Sequence, residues 1–287
     1  MGIYHQLPAY TALGFVNNDG ELENRDNGIT YIENTHYVAG LRYTTKFNAT
    51  FSLEGFLKNY RDYPFLTREG LSLANLGGDF GLVGTAPLTS TSTGQTSGLE
   101  FLYQQKLTKG FFGIVSYTFV NSRFSDQNGE LASSAWDSRN IVNVTFGKKF
   151  KRNWQVGLKF RYSGGLPYTP YNLEASALRS NWDQINQGIF DFSQVNSQRL
   201  RAFHGLDIRV DKEYFFNKWS LTLYIDIENI YAFAAEQIPT LDVVRDDNGN
   251  ILVLNPDAPI EEQLYQTELL QTGNGAAIPT LGIILDF

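Results

Sequence analysis

WQVGLKFRYS, residues 154–163, alternates apolar and polar side chains without a break. Trp154, Val156, Leu158, Phe160 and Tyr162 share one face of an extended strand; Gln155, Gly157, Lys159, Arg161 and Ser163 share the other. WSLTLYIDIE (219–228) repeats the pattern, with Trp219, Leu221, Leu223, Ile225 and Ile227 opposite Ser220, Thr222, Tyr224, Asp226 and Glu228. The same period predicts strands near Tyr37–Phe47, Phe51–Tyr60, Gly98–Leu107, Gly110–Phe124, Asn140–Phe150, Phe203–Phe215 and Pro279–Phe287. A stub at Gly2–Leu7 brings the total to about ten, and helical periodicity is scarce.

The connections sharpen this reading. Short ones, near Asn48, Thr108–Lys109, Lys151–Asn153 and Phe216–Lys218, alternate with long ones over 8–34, 62–95, 125–138, 164–200 and 230–277. An up-and-down meander with tight turns at one end and long loops at the other is the layout of an outer-membrane barrel. A soluble β-sandwich also alternates apolar with polar, and it stays open as an alternative on pattern alone. Three features weigh against it. The strands run near the ten tilted residues that cross a bilayer, roughly twice the usual strand length. Aromatics gather at strand ends (Trp154, Trp219, Phe150, Phe215, Tyr162, Phe124), as interfacial girdles require. Charges stand in mid-strand at Glu54, Lys58, Glu100, Lys159, Arg161, Asp207, Arg209, Asp211, Asp226 and Glu228, which a dry core would penalise and a wet lumen would not.

Composition excludes several classes. The mean hydropathy is −0.26, and no window holds the roughly 18 apolar residues of a membrane-spanning helix. That test does not touch barrels, whose strands alternate. A net charge of −7 argues against a partner held through phosphate contacts, so no nucleic-acid partner is expected. With no cysteine there is no disulfide or thiolate chemistry. Tyr and Phe together supply 37 residues, an aromatic load that suits interfaces. The opening MGIYHQLPAYTALGF has no basic run followed by an apolar stretch, so no signal peptide is read there.

Several segments then resemble one family. LEFLYQQKLTKGFFGIVSYTFVNSRF (99–124), SSAWDSRNIVNVTFGKKFKRNWQVGLKFRYSGGLPYTPYN (133–172), LDIRVDKEYFF (206–216) and TLGIILDF (280–287) resemble the C-terminal barrel half of TonB-dependent outer-membrane receptors. GIYHQLPAY (2–10) and FSLEGFLKNYRDYP (51–64) fit the same register. The resemblance implies an all-β, antiparallel, transmembrane barrel of 22 strands, of which residues 1–287 would form the last ten. It implies an outer-membrane protein of a Gram-negative bacterium that takes up an iron chelate, cobalamin or a glycan. Its partners would be outer-membrane lipid, a plug domain and the remaining barrel strands, the TonB complex through that plug, and the barrel assembly machinery. No plug and no TonB-contacting box are found in these residues. The expectation is therefore a C-terminal fragment that, alone, forms an open curved sheet with two bare edges, a hazard for aggregation. A passive porin-like or structural barrel is the alternative function.

Candidate sites are few. The ending resembles the signal read by the barrel assembly machinery, with Thr280, Gly282, Leu285 and Phe287 in its positions and Leu285 where an aromatic is more usual. Ile284 interrupts an otherwise small or polar inner face. Tyr168 and Tyr171 in YSGGLPYTPY (162–171), and Trp182 in NWDQINQGIFDFSQVNSQ (181–198), are the candidate loop contacts for a ligand. In the first segment Gly164 and Gly165 ease the exit from the strand, and Pro167 and Pro170 end ladder donation. In LDIRVDKEY (206–214), Asp207, Arg209, Asp211 and Glu213 share the inward face, where opposite charges can pair. Nothing there suggests acid–base catalysis, and no enzyme is expected. His5, His36 and His204 are scattered, without the spacing of a metal site. RDDNGN (245–250) misses calcium-loop spacing and reads as a hairpin tip, with Asn248-Gly249 at the turn. The glycine-rich segment 72–87 follows no strand–helix pattern, so it offers no phosphate cradle, and no cofactor is expected.

Overall fold

A computed structural model describes residues 1–77, 86–271 and 273–287. Residues 78–85, within the glycine-rich segment discussed above, and residue 272 lie outside the described residues. Ten strands form one antiparallel meander. They are β1 (Gly2–Gln6), β2 (Ile32–Thr44), β3 (Ala49–Leu66), β4 (Leu88–Thr108), β5 (Phe111–Ser125), β6 (Asn140–Lys149), β7 (Trp154–Ser163), β8 (Phe203–Phe215), β9 (Ser220–Glu228) and β10 (Ile278–Asp286). Each pairs with its neighbours in sequence, and β1 and β10 pair on one side only. The sheet is therefore open, a segment of barrel wall with two edges.

Register lines the apolar positions up across strands. Leu206, Phe160, Val144, Val115, Tyr103, Phe51 and Tyr43 are successive cross-strand partners from β8 to β2. One residue along, the row reads Asp207, Lys159, Thr145, Ile114, Gln104, Thr50 and Thr44. Because the side-chain period is two, a slip of one residue would exchange these faces, and the apolar row fixes the register. The greasy face is uncovered: Leu41, Leu281 and Ile283 are 81%, 77% and 68% exposed. A surface this apolar is stable against lipid and a liability in water.

Glycines seat aromatics along the wall. A Cβ on Gly147 would meet the Phe112 ring at 2.1 Å, and one on Gly282 would meet the Tyr224 ring at the same distance. Each ring occupies the space over the next strand that a side chain at the glycine would fill.

β3 and β4 are longer than their periodicity indicates, at 18 and 21 residues. The missed part of β4, TSTSTGQTS (89–97), is polar on both faces, so alternation gives no signal there. Its ladder is helped by hydroxyl pairs: Ser92 with Ser125 at 3.2 Å and Thr96 with Ser122 at 2.9 Å. On β3 the register shifts between Tyr60 and Phe65, with Asp62 at φ 55°. This irregular stretch admits Pro64, which could not serve a regular ladder.

Beyond the strands the long connections fold into a cap. Ala12, Leu66, Leu71, Leu73, Ala86 and Leu88 form one apolar cluster, pinned by Asn24, whose amide donates to Ala12 O and Ala86 O and accepts from Leu88 N. Trp182, Leu241, Val243 and Tyr265 form a second. It is built from the short helix Arg179–Ile185 and the hairpin Thr240–Val243 with Thr267–Leu270.

Candidate functional site

Two surfaces carry chemistry: the inner face of the wall and the cap above it. On the inner face, β7, β8 and β9 bring opposite charges together by register. Asp207 accepts from Arg161 Nη2 at 3.0 Å and from the backbone N–H of Asn229 at 3.0 Å, while Lys159 Nζ lies 4.0 Å away. Asp211 accepts from Arg209 Nη2 at 2.8 Å and Nε at 3.0 Å; Asp226 lies 3.8 Å from Arg209 Nη1. The Arg209 guanidinium also covers the Tyr224 ring at 3.9 Å. Lys159, Arg161, Asp207, Arg209 and Asp226 line a cleft of about 280 Å³ with Phe112 and Glu228. The charges neutralise one another across strands, so the cleft presents a polar, paired surface rather than a reactive acid or base.

The Arg209–Tyr224 stack depends on the last strand, β10, because Tyr224 occupies the space left by Gly282. Gly282→Ala is expected to push the ring off its seat and cost about 1–3 kcal/mol by overpacking. A lowered urea midpoint of the folded wall, with a matching shift for Tyr224→Ala combined with it no larger than for either alone, would check this. Of the other terminal candidates, Thr280 pairs with Asp226 and Leu285 with Leu221, while Phe287 lies past β10 and is 96% exposed. Ile284 pairs with Thr222 on the inner side, 41% exposed.

The cap is held by one buried carboxylate. Asp137 is fully buried; it accepts from Ser122 N at 3.0 Å and from the Arg199 guanidinium, with Arg139 Nε 3.6 Å away. Arg199 also donates to the carbonyls of Asp137 and Gly165. Gly165 itself stands 1.6 Å, measured from a built Cβ, from Leu200 O, so this crossing of two chain segments admits glycine alone. Asn196 completes the frame by donating to Asn75 O and Ser133 O, each at 2.7 Å.

The three loop aromatics are placed differently from one another. Tyr168 lines a cleft of about 170 Å³ with Asn75, Leu76, Phe190, Phe192 and Ile238. Tyr171 stacks on Phe190, ring centres 4.7 Å apart and planes 15° from parallel. Trp182 is 3% exposed inside the second cap cluster, where it packs the loop rather than facing outward. Beside it, burial and the 2.8 Å hydrogen bond to Asp183 raise the Tyr265 phenol above its ordinary value, keeping it a donor.

Sequence pattern missed a repeated device in the cap. NNDGE (17–21), DQNGE (126–130) and DDNGN (246–250) make the same tip: the first side chain accepts from the backbone N–H groups two and four residues on, and the glycine has φ near 80°. The last of these is the expected hairpin tip, with Gly249 at its left-handed position. In it the Asn250 side chain heads the hydrogen bonds that hold the Asp246 carboxyl below the usual range. The shared [ND]-x-x-G spacing was the available signal. Among the described residues no group of three acidic or histidine side chains is arranged to hold a metal ion.

Strand order and faces together define a stretch of β-barrel wall, open at both edges. The fold is that of TonB-dependent outer-membrane receptors. The pyoverdine receptor FpvA of Pseudomonas aeruginosa PAO1 bound to pyoverdine aligns at TM-score 0.56 and 14% identity, over 99% of this chain and 33% of its own. The ferric-catecholate import receptor Fiu of E. coli K12 aligns at 0.56 and 11%, over 99% of this chain and 32% of its own. The ferric yersiniabactin uptake receptor FyuA of Yersinia pestis aligns at 0.52 and 12%, over 90% and 31%. The chain thus spans about a third of the length of the structures it matches. No protein-family model and no curated protein matches it in sequence.

Proposed function

We propose that this chain forms part of the barrel wall of an outer-membrane, TonB-dependent uptake receptor. The observation that carries the reading is the register itself, which sets an uncovered apolar row on one face across the meander and, on the other, paired charges from β7 to β9. Further strands and a plug from the complete receptor would close the wall and fill the face lined by Arg161, Asp207 and Arg209. The plug would be the contact for the TonB complex. The solved neighbours are iron-chelate receptors by name, which favours an iron chelate over cobalamin or a glycan as the nutrient. Tyr168 and Tyr171 are the proposed loop contacts, and Trp182 supports them from within the cap. The wall binds and passes its ligand without chemical change, so the role is transport rather than catalysis.

The absence of cysteine makes the orientation testable. Leu158→Cys is expected to react only with a membrane-partitioned maleimide, and Lys159→Cys with a water-soluble one. Equal labelling of both by the water-soluble reagent would refute the membrane wall. Uptake of a labelled ferric chelate by cells carrying the complete receptor separates the two transport classes: loss of uptake without TonB supports the receptor, and unchanged uptake supports a passive channel. The terminal residues are proposed as the assembly signal. Deleting Phe287 from the complete receptor is expected to lower its surface level while leaving ligand affinity of the assembled fraction unchanged. An unchanged surface level would leave Phe287 as lipid-facing packing only.

A further inference from the structure

The short turns carry a charge pattern that the transport reading does not use. Segments 44–49, 106–111, 148–154 and 212–220 hold nine basic residues and one acidic residue, Glu213. The whole chain has 23 basic against 30 acidic residues, so the long-loop end is strongly acidic and the short-turn end strongly basic.

Two of the nine stand on the greasy face: Lys148, whose cross-strand partners are Phe111 and Val156 and whose Nζ donates to Lys109 O at the turn, and Lys212 beside the last strands. Lys212 alternates in phase with Val210 and Tyr214, and its cross-strand partners are Trp154 on β7 and Leu223 on β9. An isolated cation facing lipid is costly unless it reaches a polar layer. Lys212 stands three residues from the end of β8 and bends toward the rim. Its Nζ lies 5.4 Å from the Trp154 ring and 5.0 Å from the Tyr214 ring, and it donates to Arg152 O. Stacked on two interfacial aromatics, the ammonium is held at headgroup depth. Beside it opens a groove of about 480 Å³ on the outer face, lined by Val210, Tyr214, Leu223, Leu281 and Ile283.

We infer that this groove is a site for an anionic phospholipid of the leaflet at the short-turn end. An acyl chain lies along Val210, Leu223 and Leu281, and the phosphate meets Lys212, with Arg152 and Lys218 on the adjoining turns adding to the attraction. Charge complementarity commits the occupant. A neutral lipid would fill the groove equally well but leave the only outward-facing lysine of β8 without an anion, and a zwitterionic headgroup would meet a basic rim with its own ammonium. The inference rests on the membrane-wall reading.

The test uses the full chain folded in mixed micelles, titrated with brominated phosphatidylglycerol or brominated phosphatidylcholine. Because Trp136, Trp182 and Trp219 also fluoresce, the part of the quenching that is lost in Trp154→Phe reports lipid at Trp154, and circular dichroism reports the fold. Tighter binding of phosphatidylglycerol is expected. Lys212→Met should weaken it about fivefold, the effect of one basic side chain near an anionic surface, with phosphatidylcholine binding unchanged and Lys212→Arg retaining the preference. Equal affinity for the two lipids in the unaltered chain, or an undiminished preference in a folded Lys212→Met, would overturn the site while leaving the wall intact. No quenching by either lipid, with β circular dichroism preserved, would overturn the wall and the site together.

Discussion

Asp137→Ala is expected to loosen the whole cap, at a cost of about 3–5 kcal/mol, the penalty for breaking a buried ion pair from one side. The reason is what the carboxylate leaves behind. Arg199 would keep its charge between β5 and the 164–200 connection with its ionic partner gone, and Ser122 N would lose its acceptor inside the sheet. Asp137→Asn keeps the shape and one acceptor oxygen, so it should fall between the parent and the alanine variant. Limited proteolysis gives the first readout, with new cleavages expected in 125–138 and 164–200 and none in the wall strands. A denaturant midpoint for the cap that is unchanged in Asp137→Ala would show that Arg199 is held by its two carbonyl acceptors alone.

Trp182→Ala should cost a similar amount, about 3–5 kcal/mol, by opening a cavity among Leu241, Val243 and Tyr265. Here the effect is apolar. Trp182 Nε1 is buried without a hydrogen-bond partner, so removing that N–H carries no compensating loss. Trp182→Phe is therefore expected to be far milder than Trp182→Ala. The damage should stay local to the second cluster: the Asp242 and Glu268 amides should exchange faster with solvent, and those of β4 and β5 should not. If Trp182→Ala instead leaves amide exchange untouched but weakens a ligand, the residue faces that ligand in the complete receptor.

The wall was legible because its strands have two solvents. Trp154–Ser163 and Phe203–Phe215 have the bounds expected from alternation alone, since lipid on one side and polar surroundings on the other impose a strict period of two. Residues 89–97 were not legible, since Ser and Thr on both faces leave no period to read. The cap was harder still. Asp137, Arg199 and Asn196 come from distant connections and act through hydrogen bonds to backbone groups, which no local pattern announces. Trp182 looked like a ligand contact because loop aromatics often are; its neighbours in the hairpin 240–243 with 267–270 stand about sixty or more residues away in sequence and give it a core of its own. Gly282 was visible as a position in a terminal motif, and only the register β9–β10 shows that it houses the Tyr224 ring.

The three matching tips at Gly20, Gly129 and Gly249 also make the protein easy to mark. A built Cβ at each of these glycines meets nothing within 4 Å, so each tip projects into free space. At 17–21 and 246–250 the side-chain hydrogen bonds of the tip close within five residues, whereas 126–130 is also tied to the cap by Gln127 N donating to Gly70 O. A short epitope grafted at Gly20 or Gly249 should be carried without disturbing the strands below. Antibody staining of intact cells would then report directly which end of the molecule faces the outside world.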